Sequence, residues 1–382
     1  MGAPLKVFVI AGEASGDKLG GAFLAGLNSL VPDVEIRGIG GSLMQAEGLE
    51  SLFPMDELSV MGIAEVLPKY RHLMRRINQT AKAVLAEKPD VLVTIDSPDF
   101  SLRVARRVKG ASDLRTVHYV APTVWAWRSG RAAKMVGVID QVLALFPFEP
   151  PYMEAVGVRC DFVGHPVVAE PVASEAEVSA FRSNFGLERA PILLVLPGSR
   201  RGEVSRLADT FGAALRPVLE AHPDMRVVVP AAEGVAQLVH QQTRDWPGNP
   251  LVLEDASDKR AAFKAASVAL AASGTVSLEL AASSTPMVIA YDMNWISRQI
   301  IKRMLKVDTV TLVNLVSQTH VVPEFLGERC QPAAIAQGLV DVIEHPSEQL
   351  DAMATTIRRL GQGDDAPGLR AARAVLDGLG QP

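Results

Sequence analysis

The sequence predicts an α/β protein of two domains, each a parallel sheet wrapped by helices. Three observations carry that prediction. The apolar runs are short, rich in Val, Ile and Leu, and separated by helix-length segments, which is the pattern of strands buried on both faces in βαβ units. Nine such runs occur in 382 residues, too many for one compact doubly wound sheet. A stretch at 164–191, with three prolines, small polar residues and no strand-like core, divides them five and four.

In chain order, the first group of strands is Leu5–Ile10, Val34–Ile39, Val91–Ile95, Thr116–Val120 and Val142–Leu145. The second group is Ile192–Leu196, Met225–Val229, Val268–Ala271 and Met287–Tyr291. This places a first domain at 1–165, a linker at 166–190 and a second domain at 191–346. The tail at 347–382 has helical spacing, with Arg358, Arg359, Arg370 and Arg373, and breaks at the Gly and Pro residues of 361–368. It reads as two helices packing back on the first domain. Two such domains face each other across a cleft. Ligands of open parallel sheets bind beyond the carboxyl ends of the strands, so chemistry belongs on strand-to-helix loops.

Composition narrows the class. At 48% hydrophobic and 21% charged, the chain is an ordinary globular one. A net charge of −5 argues against a nucleic-acid partner. Cys160 and Cys330 lie far apart without a CxxC, which excludes a disulfide scaffold and a cysteine zinc site and suits a reducing compartment. No export signal is expected, because Glu13 and Asp17 follow the first apolar run at once. The stretch 265–291 carries only Glu279 as a charge, but Ser273-Gly274, Ser283-Ser284 and Pro286 break it. It is no membrane span. A Walker loop, HExxH, GxSxG and a metal-spaced cluster are all absent, and Leu43 spoils the dinucleotide fingerprint begun at Gly38. No cofactor and no metal are expected.

Four loops have the composition of a site. Ala11-Gly12-Glu13-Ala14-Ser15-Gly16-Asp17 follows the first strand, and its glycines allow close backbone approach to an anion. Ser15 or Asp17 serves as N-cap of a helix starting near Lys18, which leaves Glu13 as a carboxylate at the cleft mouth. In Asp96-Ser97-Pro98-Asp99-Phe100, an N-cap Ser97, a first-position Pro98 and a first-turn Asp99 are structural, which leaves Asp96 as a general-base candidate. Leu196-Pro197-Gly198-Ser199-Arg200 ends a strand and enters a helix, the form of a diphosphate site. Ser273, Gly274 and Thr275 donate to phosphate in the same way, and Glu279, one turn on, accepts from a ribose.

Two further segments are ambiguous. Trp125 and Trp127, beside Arg128 and Arg131, suit a sugar or acyl ligand bearing phosphate, or else anchor the core. In 60–77, Pro68 is expected to begin a helix. Tyr70, Leu73, Met74 and Ile77 share one arc of it, with Lys69, Arg71, His72, Arg75 and Arg76 opposite. This is either a helix covering the sheet or an interfacial anchor in which Val60, Met61, Ile63, Val66 and Leu67 dip into lipid beside the basic residues.

Taken in order, these blocks resemble the lipid-A-disaccharide synthases, a family of bacterial inverting glycosyltransferases of GT-B architecture. The matching segments are AGEASGD at 11–17, GIGG to MQAEG at 38–48, MDELSVMGIAEVLPK at 55–69 and IDSPDF at 95–100. HYVAPTVWAWRSGR at 118–131, FPFEPPYMEAVGV to FVGHP at 146–166, LPGSRRGEV, ASGTVSLELA and the LVNL of 312–315 complete them. The resemblance implies transfer from UDP-2,3-diacylglucosamine to the 6-hydroxyl of 2,3-diacylglucosamine 1-phosphate, giving a β(1→6) disaccharide and UDP without a metal. It implies Asp96 as base and Glu13 beside the reacting centre, roles that the spacing alone leaves interchangeable. Gly198, Ser199, Arg200, Ser273, Gly274, Thr275 and Glu279 would hold the UDP-sugar, with Asn314 in the same region. Ser15, Gly16, Asp17, Trp125, Trp127 and Arg128 would face the acceptor. The 60–77 segment would contact the cytoplasmic face of the inner membrane. Asp292 departs from the basic residue that commonly follows Tyr291. A homodimer through the tail helices and a monomer closed by them both fit. The rival readings are a UDP-N-acetylglucosamine epimerase, a transferase to another lipid acceptor, and a peripheral scaffold that binds nucleotide without turnover.

Overall fold

A computed structural model describes residues 3–58, 63–125, 130–293 and 307–380, with backbone alone for 63–70. The chain forms two compact units, Met1–Ala169 with Leu360–Pro382, and Glu170–Arg359. The first contains β1 (Leu5–Ala11), β2 (Val34–Ile39), β3 (Glu50–Ser51), β4 (Val91–Ile95), β5 (Arg115–Tyr119), β6 (Gln141–Ala144) and β7 (Arg159–Phe162). They lie in the order β3-β2-β1-β4-β5-β6-β7, and every pairing is parallel. The second unit holds β8 (Ile192–Leu196), β9 (Arg226–Pro230), β10 (Leu251–Leu253), β11 (Val268–Ala271), β12 (Met287–Tyr291) and β13 (Glu324–Leu326). Their order is β10-β9-β8-β11-β12-β13, again parallel throughout.

Each sheet runs one way from its first strand and then restarts on that strand's other side. This makes a switch point between β1 and β4 in one sheet and between β8 and β11 in the other. All nine expected strands are present. The four additional ones, β3, β7, β10 and β13, are the four sheet edges. An edge strand pairs on one side only; β3, β7 and β13 carry charge, as Glu50, Arg159, Asp161 and Glu324 do here, and β10 is an apolar run of only three residues, so none leaves a run long enough to read. The inner strands do, because Val91, Leu92, Val93 and Ile95 are wholly buried. Each such side chain contributes about 1.5–3 kcal/mol.

Two boundaries differ from expectation. Residues 166–190 are not an open linker. Glu175–Asn184 is a helix with a Ser174–Glu177 capping box, tied to the second unit by an Arg260–Glu177 ion pair at 2.6 Å. The tail is also divided. The helix Ser347–Arg359 stays on the second unit, where Gln349 accepts from Met287 N at 2.6 Å and donates to its carbonyl at 3.0 Å. Only Pro367–Gly378 returns to the first unit, crossing the helix Ala14–Leu30. The crossing needs glycine on both helices, since a Cβ at Gly26 would stand 2.7 Å from the Gly368 carbonyl.

The helix Ile63–Glu87 begins five residues before Pro68 rather than at it. Ile77 is buried, and Leu73 and Met74 pack on the first core. Arg76 is not offered to a surface. Its guanidinium grips Glu57 through Nε at 2.7 Å and Nη2 at 2.6 Å, lies 4.3 Å over the Phe53 ring, and holds the Glu57 carboxyl below its usual range. Arg71 and Arg75 are exposed. Val60 and Met61, and the side chains of Ile63, Val66, Leu67 and Lys69, lie outside the described residues.

Candidate functional site

The first-unit site sits at its switch point. The loops after β1 and β4 touch, because a Cβ at Gly12 would stand 2.7 Å from Ser97 Oγ. Glu13 is the N-cap of the helix Ala14–Leu30, in extended backbone and partly exposed, so the helix starts four residues before Lys18. Ser15 is exposed and Gly16 is buried. Asp17, placed by the resemblance at the acceptor, has another job. It is buried, and its carboxylate accepts from the backbone N–H groups of Gly41 at 2.8 Å, Leu43 at 3.1 Å and Met44 at 3.1 Å. It caps the short helix Ser42–Ala46, a structural task that occupies both of its oxygens.

Asp96 stands at the tip of β4 with φ at +48°, followed by Ser97 at +44°, and Val120 at the tip of β5 has φ at +84°. Left-handed backbone outside glycine costs about 1–3 kcal/mol per residue and persists only where surroundings over-determine it. Here they do. Asp96 N donates to Tyr119 O at 3.0 Å, Val120 N to Leu143 O at 3.0 Å, and Ser101 Oγ to Asp96 O at 2.8 Å. Ser97 occupies the N-cap position as expected, but in this conformation its side chain makes no cap bond. Asp96, half-buried, lines a cavity of about 720 Å³ together with Asp99, His118, Val120, Arg131 and Lys134. A carboxylate held by locked backbone beside a cavity has the fixed placement that a general base needs.

Trp125 turns inward. It is buried, its Nε1 donates to Glu149 Oε1 at 3.4 Å, and it meets the Phe148 ring edge-on at 5.1 Å. It is a core anchor, not a ligand platform. Burial pushes the Glu149 carboxyl up to about 7, against the opposing pull of bonds from Phe146 N, Trp125 and Leu145 N. Trp127 and Arg128 lie outside the described residues.

In the second unit, Leu196 and Ala271 are register partners, so the loops after β8 and β11 leave the sheet side by side. Gly198 has φ at +125°, and a Cβ there would come within 2.6 Å of Glu203 Cβ. The Glu203 carboxylate accepts from Ser199 N at 3.2 Å, Arg200 N at 3.3 Å and Arg200 Nη1 at 3.1 Å, while the Arg200 side chain stays 66% exposed. This loop gathers donors around an anionic centre now filled by its own carboxylate. Across the switch point, Ser273, Gly274 and Thr275 lead into the helix Val276–Ala282, with open space above Gly274 and Glu279 exposed one turn on. Asp292 follows β12, its Oδ1 accepting from Met293 N at 2.8 Å. Asn314 is a buried clamp instead of a ligand contact. Its amide donates to Thr309 Oγ1 at 3.2 Å and Val322 O at 3.0 Å and accepts from Val322 N at 3.0 Å.

Sequence reasoning passed over His118 and Lys134, since one lies inside a strand and the other on a helix-like segment after the loop. The available signal for His118 was a histidine in an apolar run, in register with Thr94.

Two parallel α/β units, each with paired loops at a switch point, define the GT-B class of nucleotide-sugar enzymes. Solved structures agree on the fold. UDP-GlcNAc 2-epimerase from Neisseria meningitidis, bound to UDP-GlcNAc, superposes with a TM-score of 0.63 at 12% identity, covering 98% of both chains. MurG from Acinetobacter baumannii gives a TM-score of 0.58 at 13% identity over 99% of both chains. The sequence is more specific: residues 7–365 match the lipid-A-disaccharide synthetase family model. Lipid-A-disaccharide synthase from Ruegeria pomeroyi is 63% identical, over 99% of this chain and 96% of that one. The enzyme of that name from Rhodospirillum centenum is 47% identical, over 98% and 94%. The chain belongs to the lipid-A-disaccharide synthase family and is a glycosyltransferase of lipid A biosynthesis.

Proposed function

We propose that the two switch-point sites divide one transfer between them, the second unit holding UDP-2,3-diacylglucosamine and the first presenting 2,3-diacylglucosamine 1-phosphate. Asp96 takes the proton of the acceptor's 6-hydroxyl as that oxygen attacks the anomeric carbon. The bond from that carbon to the UDP oxygen breaks, and inversion gives the β(1→6) disaccharide. The N–H groups of Ser199 and Arg200 and the Arg200 guanidinium pass from Glu203 to the leaving diphosphate, which they stabilise in place of a metal. Ser273, Gly274 and Thr275 flank it, Glu279 accepts from the ribose, and Glu13 shapes the acceptor side. The single observation that carries this reading is Asp96, a carboxylate fixed by strained, doubly anchored backbone at a switch point and open to a cavity.

The test is disaccharide formation from the two purified diacyl sugars in detergent micelles with EDTA present, following UDP release. Product and UDP together support the reading. UDP release without disaccharide overturns the acceptor assignment, and loss of turnover in EDTA overturns metal independence. We place the enzyme peripherally at the cytoplasmic face of the inner membrane. No described helix is long and apolar enough to cross a membrane, and Arg71 and Arg75 stand exposed on the helix that follows the 55–62 segment. Sedimentation with anionic vesicles, weakened in an Arg71→Glu/Arg75→Glu variant, is the expected result. Unchanged sedimentation would remove these two residues from the membrane contact.

A further inference from the structure

We propose that His118 is a positioning residue of the transfer, its Nε2 accepting a hydrogen bond from the acceptor's 4-hydroxyl and so turning the adjacent 6-hydroxyl toward Asp96. The inference rests on the reading of the first-unit cavity as the acceptor site. His118 is only 2% exposed, yet it lines that cavity with Asp96. It stands on β5 in register with Thr94 on β4. Its tautomer follows from the single proton of the Thr94 hydroxyl. Thr94 Oγ1 lies 3.2 Å from Val117 O, which can only accept, and 2.8 Å from His118 Nδ1. The assignment that satisfies both contacts has the hydroxyl donating to Val117 O and accepting from Nδ1–H. That tautomer puts the proton on Nδ1 and leaves Nε2 a lone pair with no partner among the described residues.

Burial also holds the imidazole neutral, depressing its pKa to about 4. A neutral ring with a free lone pair does not anchor phosphate; it asks the ligand for a donor. A Thr–His pair in a wall of Val, Leu and Ile costs more than an apolar pair unless it is used. The acceptor's 1-, 2- and 3-positions are substituted, which leaves the 4- and 6-hydroxyls, and the 6-hydroxyl gives its proton to Asp96. The carbonyl of Tyr119, the next residue after His118, holds the Asp96 amide at 3.0 Å, so the two groups are fixed relative to each other.

The test uses the full chain in micelles with 2,3-diacylglucosamine 1-phosphate and its 4-deoxy analogue. His118→Asn keeps the donor to Thr94 and removes the acceptor, whereas His118→Gln restores an oxygen near the Nε2 position. For the wild type, kcat/KM falls about tenfold with the 4-deoxy acceptor. For His118→Asn it falls about tenfold with the natural acceptor, with UDP affinity unchanged, and the 4-deoxy acceptor costs nothing more. His118→Gln recovers part of the loss. Wild-type indifference to the 4-deoxy acceptor overturns the proposal, even if His118→Asn fails to fold. So does a His118→Asn enzyme that still discriminates tenfold, which would also leave the amide N–H at position 2 as the donor to seek. Undiminished turnover by Asp96→Ala is a separate outcome, and overturns the acceptor-site reading instead.

Discussion

The loop after β4 and the loop after β8 each flank the switch point of their own sheet, yet they are built in opposite ways. The first reaches its shape through strain. Asp96 and Ser97 sit in left-handed backbone without glycine, held by Tyr119 O and Ser101 Oγ. The second reaches its shape through Gly198 and a carboxylate, Glu203, that fills the loop's own donors. A group that moves a proton needs one fixed position, so over-determined backbone suits it. A loop that captures a diphosphate and releases UDP each turnover needs donors that can be handed over. On the proposed division of roles, the contrast teaches that backbone rigidity follows the chemistry asked of each loop.

The largest effect expected from breaking this contrast is at Asp96. Asp96→Ala lowers kcat by about 10²–10⁴-fold while UDP affinity, measured by calorimetry, stays within twofold. A parallel fall in UDP affinity would merge the two loops into one function. Next is Asp17→Ala, which strands the N–H groups of Gly41, Leu43 and Met44 and costs about 2–4 kcal/mol in denaturant unfolding. The acceptor KM of the folded fraction stays within twofold. A selective rise in KM would return Asp17 to the acceptor site. Smaller again is Gly198→Ala, where a Cβ meets Glu203 and φ is wrong for alanine. About 1–3 kcal/mol of strain shifts onto the loop, and donor KM rises about tenfold with kcat less affected. An unchanged donor KM would show that the loop's shape does not matter to the donor.

How far the sequence could take this comparison depended on the range of each interaction. The inner strands and the strand-to-helix loops were legible because their signals are local: apolar runs, then Gly, Ser and Asp. Asp17 was misassigned because its partners lie 24–27 residues away, in a block that itself reads as an incomplete nucleotide fingerprint. Asn314 was misassigned for a different reason: its clamp closes on nearby residues, Thr309 and Val322, but nothing in their residue types marks them as its partners. The left-handed Asp96, Ser97 and Val120 carry no glycine to announce them, and the bonds that hold this backbone, from Asp96 N to Tyr119 O, Val120 N to Leu143 O and Ser101 Oγ to Asp96 O, are not written in the local sequence. His118 hid inside a strand, where a lone histidine looks like core until Thr94 is placed beside it.

A last effect, spread over several pH units, lies at Glu149, the partner of Trp125. Its folded pKa of about 7 stands above the ordinary 4.5 because burial disfavours the charged form, with bonds from Phe146 N, Trp125 and Leu145 N only partly offsetting it. A raised carboxyl pKa means that the folded chain binds more protons than the unfolded chain between those values. Its contribution is therefore fully present below pH 4.5 and lost as the pH rises through about 7, to a limit on the order of 3 kcal/mol. Glu149→Gln keeps an oxygen for Leu145 N and Phe146 N and cannot ionise. The difference in Tm, wild type minus variant, is expected to fall between pH 5 and pH 7.5 and then level off. Because Trp125 hangs on this carboxyl at 3.4 Å, the same ionisation tightens the Trp125 bond while costing stability. Indole fluorescence should titrate over the same window in the wild type and stay flat in the variant. A flat Tm difference would mean that the Glu149 carboxylate is solvated or paired well enough to ionise normally, and that the segment bearing Trp125 rests on packing alone.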